Sequence, residues 1–416
     1  MDMAPDPQIG PRDAALRSRA AAVIPGGLWG HQRAAAVPRG YPQFFASGKG
    51  ARVTDVDGRS YIDFMCAWGP MVLGYAHDGV DAAVRRVQDR GDVLNGPSEH
   101  LVELAELLVA TVPHADWAMF QKNGTDATTT CVTIARAATR RRKVLVARGA
   151  YHGAAPWCSP SVLGVTAEDR VHLIRFDFND CDSLAAAVAE AGDDLAAIVV
   201  AAFRHDLGIR QECPTQAFAR AARAHCDATG AALIVDDVRA GFRLNLGGSW
   251  EEVGVRADLS GWSKAIANGQ PLAAVTGADA FRDAAAQIFV TGSFWLQAAP
   301  MAAAVATIRT LHQIDGPAVM RRAGERFAAG LTEQATRHGF GVTLSGPPAM
   351  PLMMFDGDDA TASLGEAFCR QALARGVYLH HRHNMFLSCA HDDALIDAAL
   401  EATEAAFAAL ARTRRA

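Results

Sequence analysis

Lys264 is a lysine in a chain that has almost none. Of 40 Lys plus Arg residues only four are lysines, at positions 49, 122, 143 and 264, so arginine does nearly all the solvated surface work. In GWSKAIANGQP (261–271) Lys264 follows an apolar, strand-like stretch instead of lying on a polar helix face. An amine partly withdrawn from water loses its proton more readily and can attack a carbonyl. A lysine snorkelling at a strand end is the bland alternative.

Two further stretches bear on the same chemistry. ALIVDDV (232–238) ends an apolar run with Asp236 and Asp237, which on a strand face opposite ways. A carboxylate at a buried strand end needs a cationic or N–H partner; two solvated acids opening a loop are the other reading. WAMFQKNGTDATTT (117–130) places Asn123, Gly124 and Thr125 between a strand and a helix N-terminus. Free N–H groups, a glycine and a hydroxyl there suit a phosphate, although an ordinary cap by Thr or Asp looks the same in sequence. Each signal is weak alone. Together they describe a phosphate cradle, an acid for a protonated ring nitrogen and an amine for a Schiff base, which pyridoxal phosphate requires in combination.

The elements that must position these residues are legible in outline. With 416 residues, half of them apolar and a fifth charged, the chain supports one large core or two domains. GKGARVTDVDGRSYIDF (48–64) alternates around a D-G turn, as a hairpin does. WAMFQ, KVLVA (143–147), AAIVVAAF (196–203), ALIVDDV and LAAVTG (272–277) read as strands, many of them separated by Ala-rich helical segments. That order implies an α/β fold with a large, mostly parallel sheet covered by helices. The expected division is an N-terminal segment of a small lobe over 1–69, a large domain over 70–310 and a small C-terminal α/β domain over 311–416.

A formal net charge of −5 argues against nucleic acid or an anionic membrane as the main partner. The eight cysteines form no C-x-x-C pair, so neither a zinc knuckle nor a disulfide framework is indicated, and a reducing cytoplasm fits. The N-terminus lacks a signal-peptide core and no later run approaches eighteen uninterrupted apolar residues, so a soluble protein is expected.

The sequence resembles the class III aminotransferases among fold type I pyridoxal-phosphate enzymes, and within them the branch containing glutamate-1-semialdehyde aminomutase. The stretches that carry it are PGGLWGHQR (25–33), the 48–64 hairpin, WGPMVLGYAH (68–77), KNGTDATTT, GAYHG (149–153), LIVDDVRAGFR, GWSKAIANGQP, GSFW (292–295) and FLSCAH (386–391). The resemblance implies a seven-stranded sheet domain beside a small domain built from both chain ends. It implies that Lys264 forms the Schiff base with pyridoxal 5'-phosphate and Asp236 pairs with the pyridine nitrogen. Val238 and Tyr151 would cover the two ring faces, with His152 beside Tyr151, and Asn123, Gly124 and Thr125 would take the phosphate. Ser293 would reach the phosphate of a neighbouring subunit, so a homodimer with shared sites is implied. Arg33 and Trp68 match positions that hold the substrate.

Three departures matter. The span between Gly153 and Phe178 is shorter than the region that carries the aminomutase lid, which favours release of a keto product and hence transamination. His383 stands where the aminomutases have a glutamate, and is read as shaping substrate choice; without a matching acid or Cys cluster, His380, His381 and His383 are not read as a metal site. Ala201-Ala202, followed by Phe203-Arg204-His205-Asp206, replaces the family's Glu-Pro. The expectation is an aminotransferase acting between an amino acid or amine donor and a keto acid or aldehyde acceptor, with a carboxylate-bearing substrate for Arg33. An aminomutase, an amino-acid racemase and a non-catalytic cofactor-binding protein are the alternatives.

Overall fold

A computed structural model describes residues 9–415. The chain divides into two compact units: the residues through Trp68, Gly74–His77 and those from Met320 onward form one, and Gly69–Leu73 with Asp78–Val319 form the other.

The first unit opens with a helix, Pro11–Val23, followed by strands β1 (Phe45–Lys49), β2 (Arg52–Asp55) and β3 (Ser60–Asp63), paired antiparallel in sequence order. Between β2 and β3 the D-G turn is pinned by Asp55, whose Oδ1 accepts the N–H groups of Asp57 and Arg59 at 3.0 and 2.9 Å. Gly58 there has φ +89°, a conformation a side chain would strain.

The second unit holds β4 (Trp117–Gln121), β5 (Lys143–Ala147), β6 (Leu173–Phe176), β7 (Leu195–Ala201), β8 (Ala232–Asp236), β9 (Leu259–Trp262) and β10 (Ala273–Gly277). Their order in one sheet is β4-β10-β9-β8-β7-β5-β6. Pairing is parallel from β9 through β6, and β10 runs antiparallel to both β9 and β4. All seven residues of β7 are buried, which explains an apolar run without alternation: both faces are covered. Ile198 and Val200 join a core with Phe176, Phe218 and Trp250, while Ala197 and Val199 join one with Ile134, Ile234 and Val275. Each such large apolar side chain contributes roughly 1.5–3 kcal/mol on burial. The edge strand β6 was not singled out in the sequence, because LIRF is four residues long with an arginine inside it.

The first unit resumes with β11 (Val342–Ser345) paired to β12 (Leu352–Phe355), and β13 (Val377–Tyr378) lies parallel to β3, giving the order β1-β2-β3-β13. Phe340, Phe355, Phe368 and Phe407 pack as an aromatic cluster, with Phe368 and Phe407 centroids 4.3 Å apart. No described helix is long and apolar enough to cross a membrane.

Candidate functional site

In the sheet unit, several segments expected to carry chemistry converge beyond the ends of β4 and β8. The helix Gly124–Thr139 starts directly after β4, with Asn123 as its cap, accepting the Asp126 N–H at 3.1 Å. Asn123 also donates to Asp126 at 2.7 Å, so its side chain is committed to the helix start. The helix is thus capped by Asn123 and not by Thr or Asp, while Gly124 and Thr125 take part in different contacts. A Cβ on Gly124 would lie 2.5 Å from Val238 Cγ1, so only glycine allows Val238 to approach the helix terminus. Thr125 Oγ1 accepts the Ala154 N–H at 3.1 Å, and Thr128 Oγ1 donates to the His152 carbonyl at 2.6 Å. The loop of GAYHG is thereby fastened to the first turn of the helix.

Asp236 ends β8 and is buried. Its Oδ2 lies 2.7 Å from His152 Nδ1, and its Oδ1 accepts the Val238 N–H at 3.1 Å. His152, also buried, stacks on Trp157 at 6.4 Å and 9°, and the Trp157 indole donates to Thr129 at 3.0 Å. His152 Nε2 has no hydrogen-bond partner among the described residues. Asp237 faces elsewhere, accepting the Ser249 N–H at 3.1 Å, and burial pushes its carboxyl up to about 7. The alternation of the strand thus separates the two acids.

Lys264 opens a short turn after β9 with φ +47°, a left-handed conformation that lysine rarely adopts. Burial, then the Arg239 charge, lower its pKa to about 8 against the opposing pull of Asp236, with the Arg243 charge adding a further lowering. Arg239 has no counterpart in the sequence reading. It lies within electrostatic reach of Asp236, Tyr151 and Asp206, and burial holds it down to about 10. Since only the neutral amine attacks an aldehyde, cofactor uptake by the cofactor-free chain should slow by about tenfold per pH unit below about 8 and level off above it. Stopped-flow absorbance against pH measures this, and a rate flat between pH 6 and 8 would contradict the lowered amine.

Other expected residues are placed differently. Tyr151 is 42 % exposed beside His152. Ser293 is exposed in the segment between Gln287 and Ala298, which also shows Phe289 (92 %), Phe294 (62 %) and Leu296 (41 %) to solvent. Lys122 ties this segment to the helix start by donating to Gln297 at 3.0 Å, and Gln297 donates to Asp92 at 2.5 Å. Arg204 is bound to Asp206 and Glu212 at 3.1 and 3.0 Å. The short span after Gly153 is gathered by Arg170, which donates to the carbonyls of Pro156 and Ser159 at 3.1 and 2.6 Å.

In the other unit, Trp68 and His383 come together, ring centroids 5.0 Å apart and nearly perpendicular at 85°. His383 Nδ1 lies 2.9 Å from the Asn384 carbonyl oxygen. Arg33 is exposed between two short turns, Gly30–Gln32 and Ala34–Ala36, and takes no part in the Trp68–His383 contact. Among the described residues no group of three or more His, Cys, Asp or Glu side chains could hold a metal ion.

Comparison with known proteins gives four further findings. The family profile described as aminotransferase class-III matches residues 36–407. An aminopentol aminotransferase of Sphingopyxis macrogoltabida is 47 % identical over 97 % of this chain and 95 % of its own length. A glutamate-1-semialdehyde 2,1-aminomutase of Bordetella avium is 33 % identical over 96 % of this chain and 99 % of its own. The solved structure of the FumI protein of Sphingopyxis sp. MTA144, in its PLP internal aldimine form, superposes with a TM-score of 0.95 at 46 % identity, covering 98 % of both chains.

Proposed function

Because the chain belongs to the class-III aminotransferase family and is a pyridoxal-phosphate-dependent aminotransferase, we propose that Lys264, Asp236 and the Gly124–Thr125 turn divide its chemistry. The observation that carries this reading is the buried His152–Asp236 contact of 2.7 Å in the same unit as a lysine lowered to about 8. The residues fit the cofactor. Gly124 is kept bare beneath Val238, the helix terminus offers N–H groups for a dianion, and Asp236 retains acceptor capacity beyond its two protein contacts.

When bound, pyridoxal phosphate supplies an aldehyde that captures amines and a ring that accepts the electrons left on a deprotonated substrate carbon. In this reading Lys264 Nζ would hold the cofactor and, once free, would carry the proton taken from the substrate carbon. Asp236 keeps the ring nitrogen protonated. His152 acts through Asp236, donating from Nδ1 so that the carboxylate is held in place. Thr125 and the N–H groups of the first helical turn hold the phosphate, and Val238 with Tyr151 enclose the ring.

The donor is an amine of the aminopentol kind, and the acceptor a keto acid whose carboxylate meets Arg33. The aminomutase branch stands as relatedness: the short span after Gly153 and the aminopentol relative both support transfer between two substrates. The exposed Phe289, Phe294 and Leu296 beside Ser293 support a homodimer in which that segment completes the partner's site. A cytoplasmic location is in keeping with the eight free cysteines.

A donor panel tests the function. With an aminopentol-type amine, the visible absorbance of the loaded enzyme should convert to that of the amino form of the cofactor, and a stoichiometric carbonyl product should appear. Adding pyruvate or 2-oxoglutarate should restore the starting spectrum. Isomerisation or racemisation of a substrate without carbonyl release would replace this reading by the mutase or racemase one.

A further inference from the structure

The unit that contains Trp68 holds an unusual piece of backbone. Cys66, Ala67 and Trp68 all have positive φ, at 48°, 52° and 66°. Left-handed backbone is unfavourable for any residue with a Cβ, and three such residues in succession persist only where the surroundings impose them.

Asp63 supplies that imposition. Its buried carboxylate accepts the Met65 N–H at 2.7 Å and the N–H groups of Cys66 and Ala67. It also accepts the Tyr75 hydroxyl at 2.7 Å. Cys66 Sγ donates to the Phe386 carbonyl at 3.2 Å. Tyr75 is itself fixed: its backbone exchanges hydrogen bonds with Gly50 at 3.0 and 2.7 Å, and a Cβ on Gly48 would come within 2.7 Å of its ring. The GKG of the first hairpin thus makes room for this tyrosine. The clamped turn sets the Trp68 indole against His383 at 5.0 Å and His380 at 5.9 Å, both edge-on. Burial first, then the charges of His381 and Arg382, lower His380 to about 4, so its ring is neutral at physiological pH.

We propose that Asp63 and Tyr75 are positioning residues for donor selection, clamping the Cys66–Trp68 turn so that Trp68, His380 and His383 form a wall for the aliphatic, hydroxylated part of the donor. An indole with two imidazole edges offers an apolar face and polar ring atoms for hydroxyls, and no carboxylate to pair an ammonium. The inference rests on the aminopentol-type donor proposed above and on the family resemblance by which Trp68 meets the substrate.

The test is Tyr75→Phe, which keeps the ring over Gly48 and removes only Oη, assayed with a long-chain amino alcohol and with a three-carbon amine. The ratio of kcat/KM for the long donor over the short one should fall about tenfold, the size expected for one hydrogen bond to a buried carboxylate. The change should lie mainly in KM for the long donor, with the cofactor's absorbance and affinity retained. Trp68→Ala should lower the same ratio, and adding Tyr75→Phe to it should change the ratio by less than about twofold. If Trp68→Ala lowers the ratio while Tyr75→Phe leaves it alone or slows both donors equally, the clamp is wrong and the substrate reading of Trp68 survives. If Trp68→Ala leaves the ratio unchanged, that reading fails and the clamp with it. Asp63→Asn is the second variant; where it folds, it should match Tyr75→Phe in direction.

Discussion

Lys264→Ala should reduce turnover by about 10⁴-fold or more, the upper end of what a positioned proton carrier contributes, because the same amine is both nucleophile and base. The visible absorbance of the covalently held cofactor should vanish with it. The backbone makes this a clean substitution. Lysine already adopts φ +47° at this position, and alanine meets the same left-handed cost, so no new strain enters. Loss of the amine also removes a charge that burial penalises, so the variant should be at least as stable as the parent. Thermal unfolding of the cofactor-free proteins measures that part. A primary alkylamine added to the variant should restore some turnover, with efficiency rising as the amine's basicity rises. Activity above one per cent of the parent would show that Lys264 is not the proton carrier.

Asp236→Asn should lower kcat by about 10²–10³-fold, the scale on which removal of one preorganised electrostatic contact acts. Asparagine keeps the shape, and its oxygen can still accept the Val238 N–H that Asp236 Oδ1 holds at 3.1 Å. What it cannot do is hold a ring nitrogen protonated. Cofactor affinity should therefore change little while the proton-removal step slows, and a donor deuterated at the reacting carbon should show a larger isotope effect than in the parent. The variant carries a second signature. Asp236 raises the Lys264 pKa, opposing burial and Arg239, so its neutralisation should move the plateau of cofactor uptake to a pH below about 8. The sign follows from the charges: removing an anion near an ammonium favours the neutral amine. A plateau that moves upward, or a kcat within threefold of the parent, would separate Asp236 from the chemistry.

The sequence by itself determined most of the elements of the large sheet and marked the side chains proposed for the chemistry. Lysine scarcity marked Lys264, unbroken apolar runs marked β7 and β8 as buried strands, and glycine after a strand marked the start of the helix Gly124–Thr139. These signals are local: periodicity, helix-terminus chemistry and the cost of stranding a charge all act over a few neighbouring residues. The tertiary structure decided the partners. The His152–Asp236 contact joins residues 84 positions apart, and Gly124 is glycine because Val238 lies above it, which no local pattern encodes. Arg239 was invisible for the same reason, since an arginine after a strand end resembles any solvated arginine until burial and three neighbouring groups give it an electrostatic role. The left-handed run at Cys66–Trp68 contains no glycine or asparagine, so its conformation is imposed from outside, by Asp63 and by the Tyr75 hydroxyl that holds Asp63.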